Sequence, residues 1–371
     1  MSPQFEILMI AIVVALAASI LGVFLVLKKM AMMSDAITHT ILLGIVISFF
    51  ITEDLSSPWL IVGAALMGVV TVYLIEALQS TKLLSEEASI GVIFPFIFSI
   101  AILLISHYAG SVHLDTDAVL LGELSFAPFD RMMFLGMSLP KSLIIMSSIL
   151  LVNCIFVVVF FKELKISSFD PLLSAILGFS PVIIHYMLMT LISVTAVGAF
   201  NAVGSILVIS FMIGPPITAY LLTHDLRKLM FISSLIAIVN ATVGFLFAFG
   251  MDVSISGSMA VMTGISFMIA FLFSPTQGLI SGILLRKKQS REFAQLTVLF
   301  HLYNHESSHD EPIEAGVFSI HEHLKWSQSK IDHILGELEN GNYIEIDQEV
   351  IKLTPTGRQL SIDYYNSIFE N

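Results

Sequence analysis

Nine runs of apolar residues, each close to the length a helix needs to cross a bilayer, leave this chain few folds to choose from. They cover residues 5–27, 36–51, 59–78, 91–106, 142–161, 181–197, 202–222, 229–249 and 259–279. Hydrocarbon offers no water to the backbone, so each run must satisfy its own hydrogen bonds as a helix. Mean hydropathy is +0.90 and only 12% of residues are charged, against roughly 25% in an average globular chain. An ordinary soluble enzyme is excluded. The expected fold class is an all-α polytopic membrane protein carrying a small polar appendage. The runs 36–51, 91–106 and 181–197 are short, so breaks or re-entrant pieces are expected there. Residues 5–27 lack a charged leader and a small-residue cleavage site, and read as a retained span.

Charge orders the loops. Lys28 and Lys29, Lys82, Lys162 and Lys165, Arg227 and Lys228, and Arg286, Lys287 and Lys288 fall in alternate loops. The intervening loops hold Glu53, Asp54, Asp115, Asp117, Glu123 and Asp252, with only Arg131 and Lys141 against the trend. The positive-inside bias therefore predicts the N-terminus outside and the C-terminus in the cytoplasm. The net charge of −12 provides no general basic surface for nucleic acid or anionic lipid. The single cysteine, Cys154, sits in an apolar run and reads as packing; disulfides and Cys-rich metal sites are excluded.

The second run carries an unusual polar pair, Asp35 and His39. A charge at the bilayer centre costs about 2.5–3.5 kcal/mol on insertion scales, so such residues commonly face a pathway or a partner. Positions i and i+4 share one helix face. The pair offers a carboxylate and an imidazole to one point, the donor set of a divalent transition metal. Counted from Met30, His39 lies roughly 13 Å along its helix. A helix-packing hydrogen bond is the alternative that the residues alone leave open. The 18 methionines, scattered along apolar runs, read as core or lipid-facing rather than as a copper path. His185, near the start of the sixth run, reads as structural. His107 and His113, with Asp115, Asp117 and Glu123, could form an outer metal antechamber, although a solvated docking loop is the simpler reading. Pro215 and Pro216 remove two backbone donors from the seventh run and predict a gate or kink.

Between the fifth and sixth runs, Asp170 suits an N-cap, Pro171 the first helical position and Gly178 a C-terminal stop. A short amphipathic helix on the cytoplasmic face would present Phe169, Leu172 and Leu173 to a partner's groove; an ordinary connector is the plainer alternative. No GxxxxGK[ST] segment occurs, so energy must come from another subunit or an ion gradient. The membrane domain is assigned to residues 1–285 and a soluble domain to 286–371. In the latter, helices are expected over 293–303, 317–324 and 327–339, then two strands within 341–355 and a last helix over 356–369. Three helices followed by a hairpin is the winged-helix order, giving a small α+β domain.

Five stretches resemble the permease subunits of ABC importers for manganese, zinc and iron, the metal-ion ABC-3 permeases. They are Met33-Ser-Asp-Ala-Ile-Thr-His39, Glu87-Ala-Ser-Ile-Gly-Val-Ile-Phe-Pro95, Phe169-Asp-Pro through Gly178, Gly204-Ser-Ile-Leu-Val through Leu222, and Phe271-Leu-Phe-Ser-Pro275 ahead of Gly278. The resemblance implies a type II importer. Two permeases, identical or paralogous, would stand with cytoplasmic ATPases and an extracellular metal-binding protein. It implies no permanently bound cofactor, with Mn, Zn or Fe as the cargo. It also implies a place in the metal path for Asp35 and His39, and ATPase coupling for Phe169, Asp170, Pro171, Leu172, Leu173 and Gly178. Thr38 stands where the family more often has Ser, and Asn201 where it has Gln.

The tail resembles the winged-helix half of metal-responsive repressors of the DtxR/MntR type, through Leu335-Gly-Glu-Leu-Glu-Asn-Gly-Asn-Tyr-Ile344 and Ile351-Lys-Leu-Thr-Pro-Thr-Gly-Arg358. DNA binding needs phosphate neutralisation. Here Lys325 and Lys330 face Asp332, Glu337 and Glu339, so DNA is not an expected partner and a regulatory or protein-binding module fits better. His301, His305, His309, His321 and His323 could sense metal; solvated surface histidines are the simpler reading. Two rival functions remain, a permease for metal chelates such as siderophores or cobalamin, and a membrane-tethered metal-responsive regulator.

Overall fold

The computed structural model describes residues 2–54, 57, 59–108, 124–134, 137–306 and 311–369. Two compact units make up the chain, Met1–Gly278 and Leu279–Asn371. The first begins with α1 (Pro3–Leu27), α2 (Ala31–Thr52), α3 (Trp59–Ser80) and α4 (Glu86–Tyr108). A hairpin of β1 (Arg131–Phe134) and β2 (Met137–Pro140) leads into α5 (Lys141–Val159), α6 (Phe161–Phe169) and α7 (Pro171–Ile176). Then come α8 (Pro181–Val203), α9 (Ser205–Leu222), α10 (Leu226–Met251) and α11 (Ile255–Phe273). Among the described residues nine of these helices, all but α6 and α7, are long and apolar enough to span a membrane. This is a multi-pass membrane protein.

The core forms around α1. Ala11, Ala15, Ala18 and Gly22 recur on one face and are buried. Small side chains let neighbouring helices approach closely, which is how membrane helices gain contact without a hydrophobic driving force. At Gly22 the backbones approach closely, since a Cβ there would collide with the Met212 carbonyl oxygen of α9. The N–H that would bond that carbonyl within the helix belongs to position 216, where proline has none. Buried polar groups add cross-links. Asn153 Nδ2 donates to the Ala17 carbonyl at 3.2 Å and to Thr195 Oγ1 at 2.9 Å, tying α5 to α1 and α8. Thr71 Oγ1 donates to Thr40 Oγ1 at 2.8 Å, joining α3 to α2.

Several boundaries differ from expectation. The helices α2, α4 and α8 run unbroken for 22, 23 and 23 residues; α2 and α4 continue through polar residues at their ends that an apolar count omits, and α8 continues through Gly198 and Asn201 to Val203. The Pro215–Pro216 pair does not break α9, which is helical throughout. The last span stops at Phe273, where Ser274 and Pro275 end the helix, rather than at 279. The β1–β2 hairpin and α6 were not anticipated. Arg131, one of the two cations against the charge trend, is neutralised: its guanidinium donates to both carboxylate oxygens of Glu6 at 2.9 and 3.2 Å. Lys141, the other, lies 3.9 Å from Asp130.

The second unit contains α12 (Leu279–His305), α13 (Glu311–Glu314), α14 (Ile320–Leu324), α15 (Gln328–Asn340), β3 (Ile344–Asp347), β4 (Val350–Leu353) and α16 (Pro355–Phe369). The strands pair antiparallel with Ile346 opposite Ile351. Val298, Leu302, Ile320, Ile331, Leu335, Ile344 and Ile351 build a core separate from that of the first unit. The helix expected over 317–324 contracts to Ile320–Leu324. Its start is drawn into the sheet, with the Val317 N–H donating to the Glu349 carbonyl at 3.0 Å and Gly316 bridging Val350.

Candidate functional site

Helix α2 starts at Ala31, so a rise of about 1.5 Å per residue puts Asp35 about 6 Å and His39 about 12 Å along it. His39 Nε2 and Asp35 Oδ1 are 3.5 Å apart, with side chains 21% and 44% exposed. That gap is long for a hydrogen bond. It suits two donor atoms sharing one ion at about 2.0–2.2 Å each. Neighbouring hydroxyls are spent on their own helix: Ser34 Oγ donates to the Ala31 carbonyl, Thr38 Oγ1 to that of Asp35 and Thr40 Oγ1 to that of Ala36, each at 2.8 Å. The His39 ring rests against Phe94 and Phe98 of α4, with centroids 5.3 and 6.0 Å away. Among the described residues no third His, Cys, Asp or Glu completes a cluster with the pair. Two donors alone would leave an ion held between them with open coordination positions.

A second polar cluster escaped the sequence reading. Glu76 of α3 has Oε1 2.6 Å from His185 Nε2 and accepts from Tyr186 Oη on Oε2 at 2.7 Å. Lys28 and Glu86 lie within electrostatic reach of Glu76. The Thr40–Thr71 bond sets the antiparallel register of α2 and α3. Counting five residues from it along each helix brings Asp35 and Glu76 to one depth. His185 had been read as structural in isolation. The available signal was Glu76 itself, the one carboxylate in the apolar run 59–78.

The segment between α6 and α8 is built by its caps. Asp170 Oδ1 accepts from the Leu173 N–H at 2.9 Å, and Pro171 fills the first helical position of α7. Gly178, at φ +86°, turns the chain out, a conformation that favours glycine. Phe169, Leu172, Leu173 and Ile176 are exposed, Leu172 by 73%. Lys28 Nζ donates to the Ser167 carbonyl at 3.5 Å, holding this segment to the end of α1. His113, Asp115, Asp117, Glu123 and His309 lie outside the described residues, as does the side chain of Asn201.

Residues 4–274 match the ABC 3 transport family, nearly the whole of the first unit. The chain belongs to this family. Among ABC-3 relatives, it is 41% identical over 356 residues to the zinc transport system membrane protein TroD of Treponema pallidum, covering 96% of this chain and 97% of TroD. It is 40% identical over 295 residues to the manganese transport system membrane protein MntD of Bacillus subtilis, covering 79% of this chain and 100% of MntD. The match to TroD therefore runs through both units. Of solved structures, PsaBC from Streptococcus pneumoniae in complex with Fab is similar at a TM-score of 0.63 and 27% identity, over 75% of this chain and 94% of that one. A metal-chelate type ABC transporter in an inward-facing conformation shares the fold, at a TM-score of 0.53 and 16% identity, over 72% of this chain and 84% of that one.

Proposed function

We propose that this ABC-3 protein is the permease of an importer that carries a divalent transition metal ion, Mn, Zn or Fe, across the cytoplasmic membrane. Asp35 and His39 carry the reading, a two-ligand N/O site on one face of a membrane helix. Relatives named for zinc and manganese transport support the same cargo class. Nitrogen and oxygen donors suit such ions, and affinity alone does not select among them. The metal-chelate rival would need a wide cavity rather than a small-ion site.

The energy source in this reading is ATP hydrolysed on a separate subunit. Phe169, Leu172 and Leu173 would seat in that ATPase, held in shape by Asp170, Pro171 and Gly178. A second permease and an extracellular metal-binding protein complete the assembly. Movement of the docked segment would shift α8, whose first turns carry His185 and Tyr186, and expose the site to alternate sides. Pro215 and Pro216 weaken the hydrogen-bond ladder of α9, which makes that stretch the candidate gate or kink. The Lys/Arg bias puts the N-terminus outside and the second unit in the cytoplasm.

The order of helices, hairpin and closing helix supports a winged-helix reading of the second unit, assigned to 286–371. Its surface argues against DNA as partner: Lys330 Nζ sits over the Trp326 ring at 3.8 Å, and Arg291 is paired with Glu337. The test is uptake of radiolabelled metal by cells expressing Asp35→Ala or His39→Ala chains at normal levels. Accumulation should be abolished in each; normal uptake in either sinks the assignment.

A further inference from the structure

Four side chains from three elements of the second unit converge outside the site described above. His301 and His305 share a face at the end of α12, with ring centroids 4.8 Å apart. Glu314 closes α13, and one donor atom each from His301, His305 and Glu314 lie within 4.8 Å of one another. From α14, His323 Nδ1 reaches Glu314 Oε2 at 2.9 Å, while His301 Nε2 lies 3.7 Å from the same oxygen. We propose that His301, His305, Glu314 and His323 form a second binding site for a divalent transition metal, distinct from Asp35 and His39.

The chemistry of the donors supports the assignment. Three imidazoles and a carboxylate are a borderline N/O set, suited to Zn(II) or Fe(II) and poorly suited to Ca(II) or Mg(II), which prefer all-oxygen ligation. Ligation needs neutral imidazole. Burial lowers the pKa of His301, a direction that favours the neutral ring. The Glu314 carbonyl lies 3.0 Å from His301 Nε2. Donation from Nε2 to that carbonyl fixes the tautomer and leaves Nδ1 of His301 to ligate, so the 3.7 Å from Nε2 to Glu314 Oε2 marks the nearness of the ring and not a ligand pair. Solvated histidines behave differently: His333, 72% exposed, pairs with Glu337 of its own helix. The 2.9 Å approach of His323 to Glu314 is one a shared proton holds, and a metal ion would take that proton's place. Because the ligands come from α12, α13 and α14, occupancy would pin these elements together and stabilise the unit by linkage.

This site stands independently of the transport reading, and the experiment keeps the two apart. The full chain carrying Asp35→Ala and His39→Ala is purified in detergent, loaded with Zn(II), freed of excess by gel filtration and assayed for bound metal. It should retain a single Zn(II) and give visible absorption bands when Co(II) is substituted. Adding His301→Gln and Glu314→Gln should remove both signals. No retained metal, or metal retained equally after the added substitutions, overturns the proposal. Wild-type protein supplies a readout independent of variant folding. Zn(II) should protect His301 and His305 from carbethoxylation by diethyl pyrocarbonate and raise the melting temperature; equal labelling with and without Zn(II) counts against the site.

Discussion

Glu76 Oε1 and His185 Nε2 meet at 2.6 Å, which fastens α3 to α8 at the depth of Asp35. The other carboxylate oxygen is taken by Tyr186, so α8 grips α3 through two consecutive side chains. An ion leaving His39 toward the cytoplasm in the proposed direction passes this level. The clamp also joins the α2–α3 pair, through the Thr40–Thr71 bond, to the helix that follows the exposed leucines of α7. Two polar contacts in series therefore connect α2 with the segment proposed to receive the ATPase.

Removing either partner leaves the other half-buried without its contact, at a cost of about 1–3 kcal/mol. His185→Ala should lower the melting temperature of the detergent-solubilised chain by that equivalent. Glu76→Gln, which still accepts from Tyr186, should cost less. Because contacting residues couple by about 0.5–3 kcal/mol, the double variant should lose less than the sum of the single ones. Strict additivity would show that the two residues do not act as a clamp.

Gly22 makes a sharper test of helix approach. Gly22→Ala sets a methyl against the Met212 carbonyl of α9, and overpacking typically costs about 1–3 kcal/mol. Gly250, where a Cβ meets nothing within 4 Å, is the control. Gly250→Ala should be neutral or stabilise by up to about 1 kcal/mol through helix propensity. Thermal melts of both variants decide it; equal behaviour would contradict the close approach of α1 and α9.

What the sequence revealed was local. Twenty-residue apolar runs force helices, and the i, i+4 spacing of Asp35 and His39 guarantees a shared face before anything else is known. Helix ends were less legible, because Ser34 in α2 and Glu86 and Glu87 in α4 extend helices past their apolar stretches. The unbroken course of α9 was not legible either, since the approach of Gly22 from a distant helix to the Met212 carbonyl is a long-range contact. Long-range pairs were hidden for the same reason. Glu76 finds Tyr186 across 110 positions and Arg131 finds Glu6 across 125. His301, His305 and His323 could be seen as candidates in the sequence, but Glu314 joined them only through the fold.

The docking segment separates fold from function. Leu172 is exposed and carries no stability of the isolated chain, so Leu172→Asp should leave the melting temperature unchanged while abolishing co-purification of the ATPase and metal uptake. Asp170→Ala removes the cap of α7, worth about 1 kcal/mol, and should weaken rather than abolish both. An L172D chain that still recovers the ATPase would remove α7 from the docking surface.

Arg131 should matter more than its loop position suggests. Glu6 is only 3% exposed, and its carboxylate is satisfied by the Arg131 guanidinium. Breaking a fully buried pair by removing one partner typically costs about 3–5 kcal/mol, and the cost here is smaller because the Arg131 side chain is 39% exposed. Arg131→Ala should still destabilise, and Glu6→Gln in the same chain should restore part of the loss by removing the stranded charge. Melting curves of the single and double variants check this. No rescue by the second substitution would show that the guanidinium serves the hairpin alone.

Acid should loosen the second unit before the first. Burial is the largest cause holding His301 below its ordinary value of 6.5, opposed in part by Glu314. With the folded pKa below the unfolded one, the unfolded chain takes up a proton first as pH falls. Stability is then complete above 6.5 and declines as pH drops through that value toward the folded pKa. Amide exchange along the C-terminal half of α12 should accelerate in that window. His301→Gln, which has no proton to gain, should flatten the response, and added Zn(II) should oppose it by competing for the same nitrogen. An exchange rate with the same pH slope in wild type and H301Q would place the titrating group elsewhere.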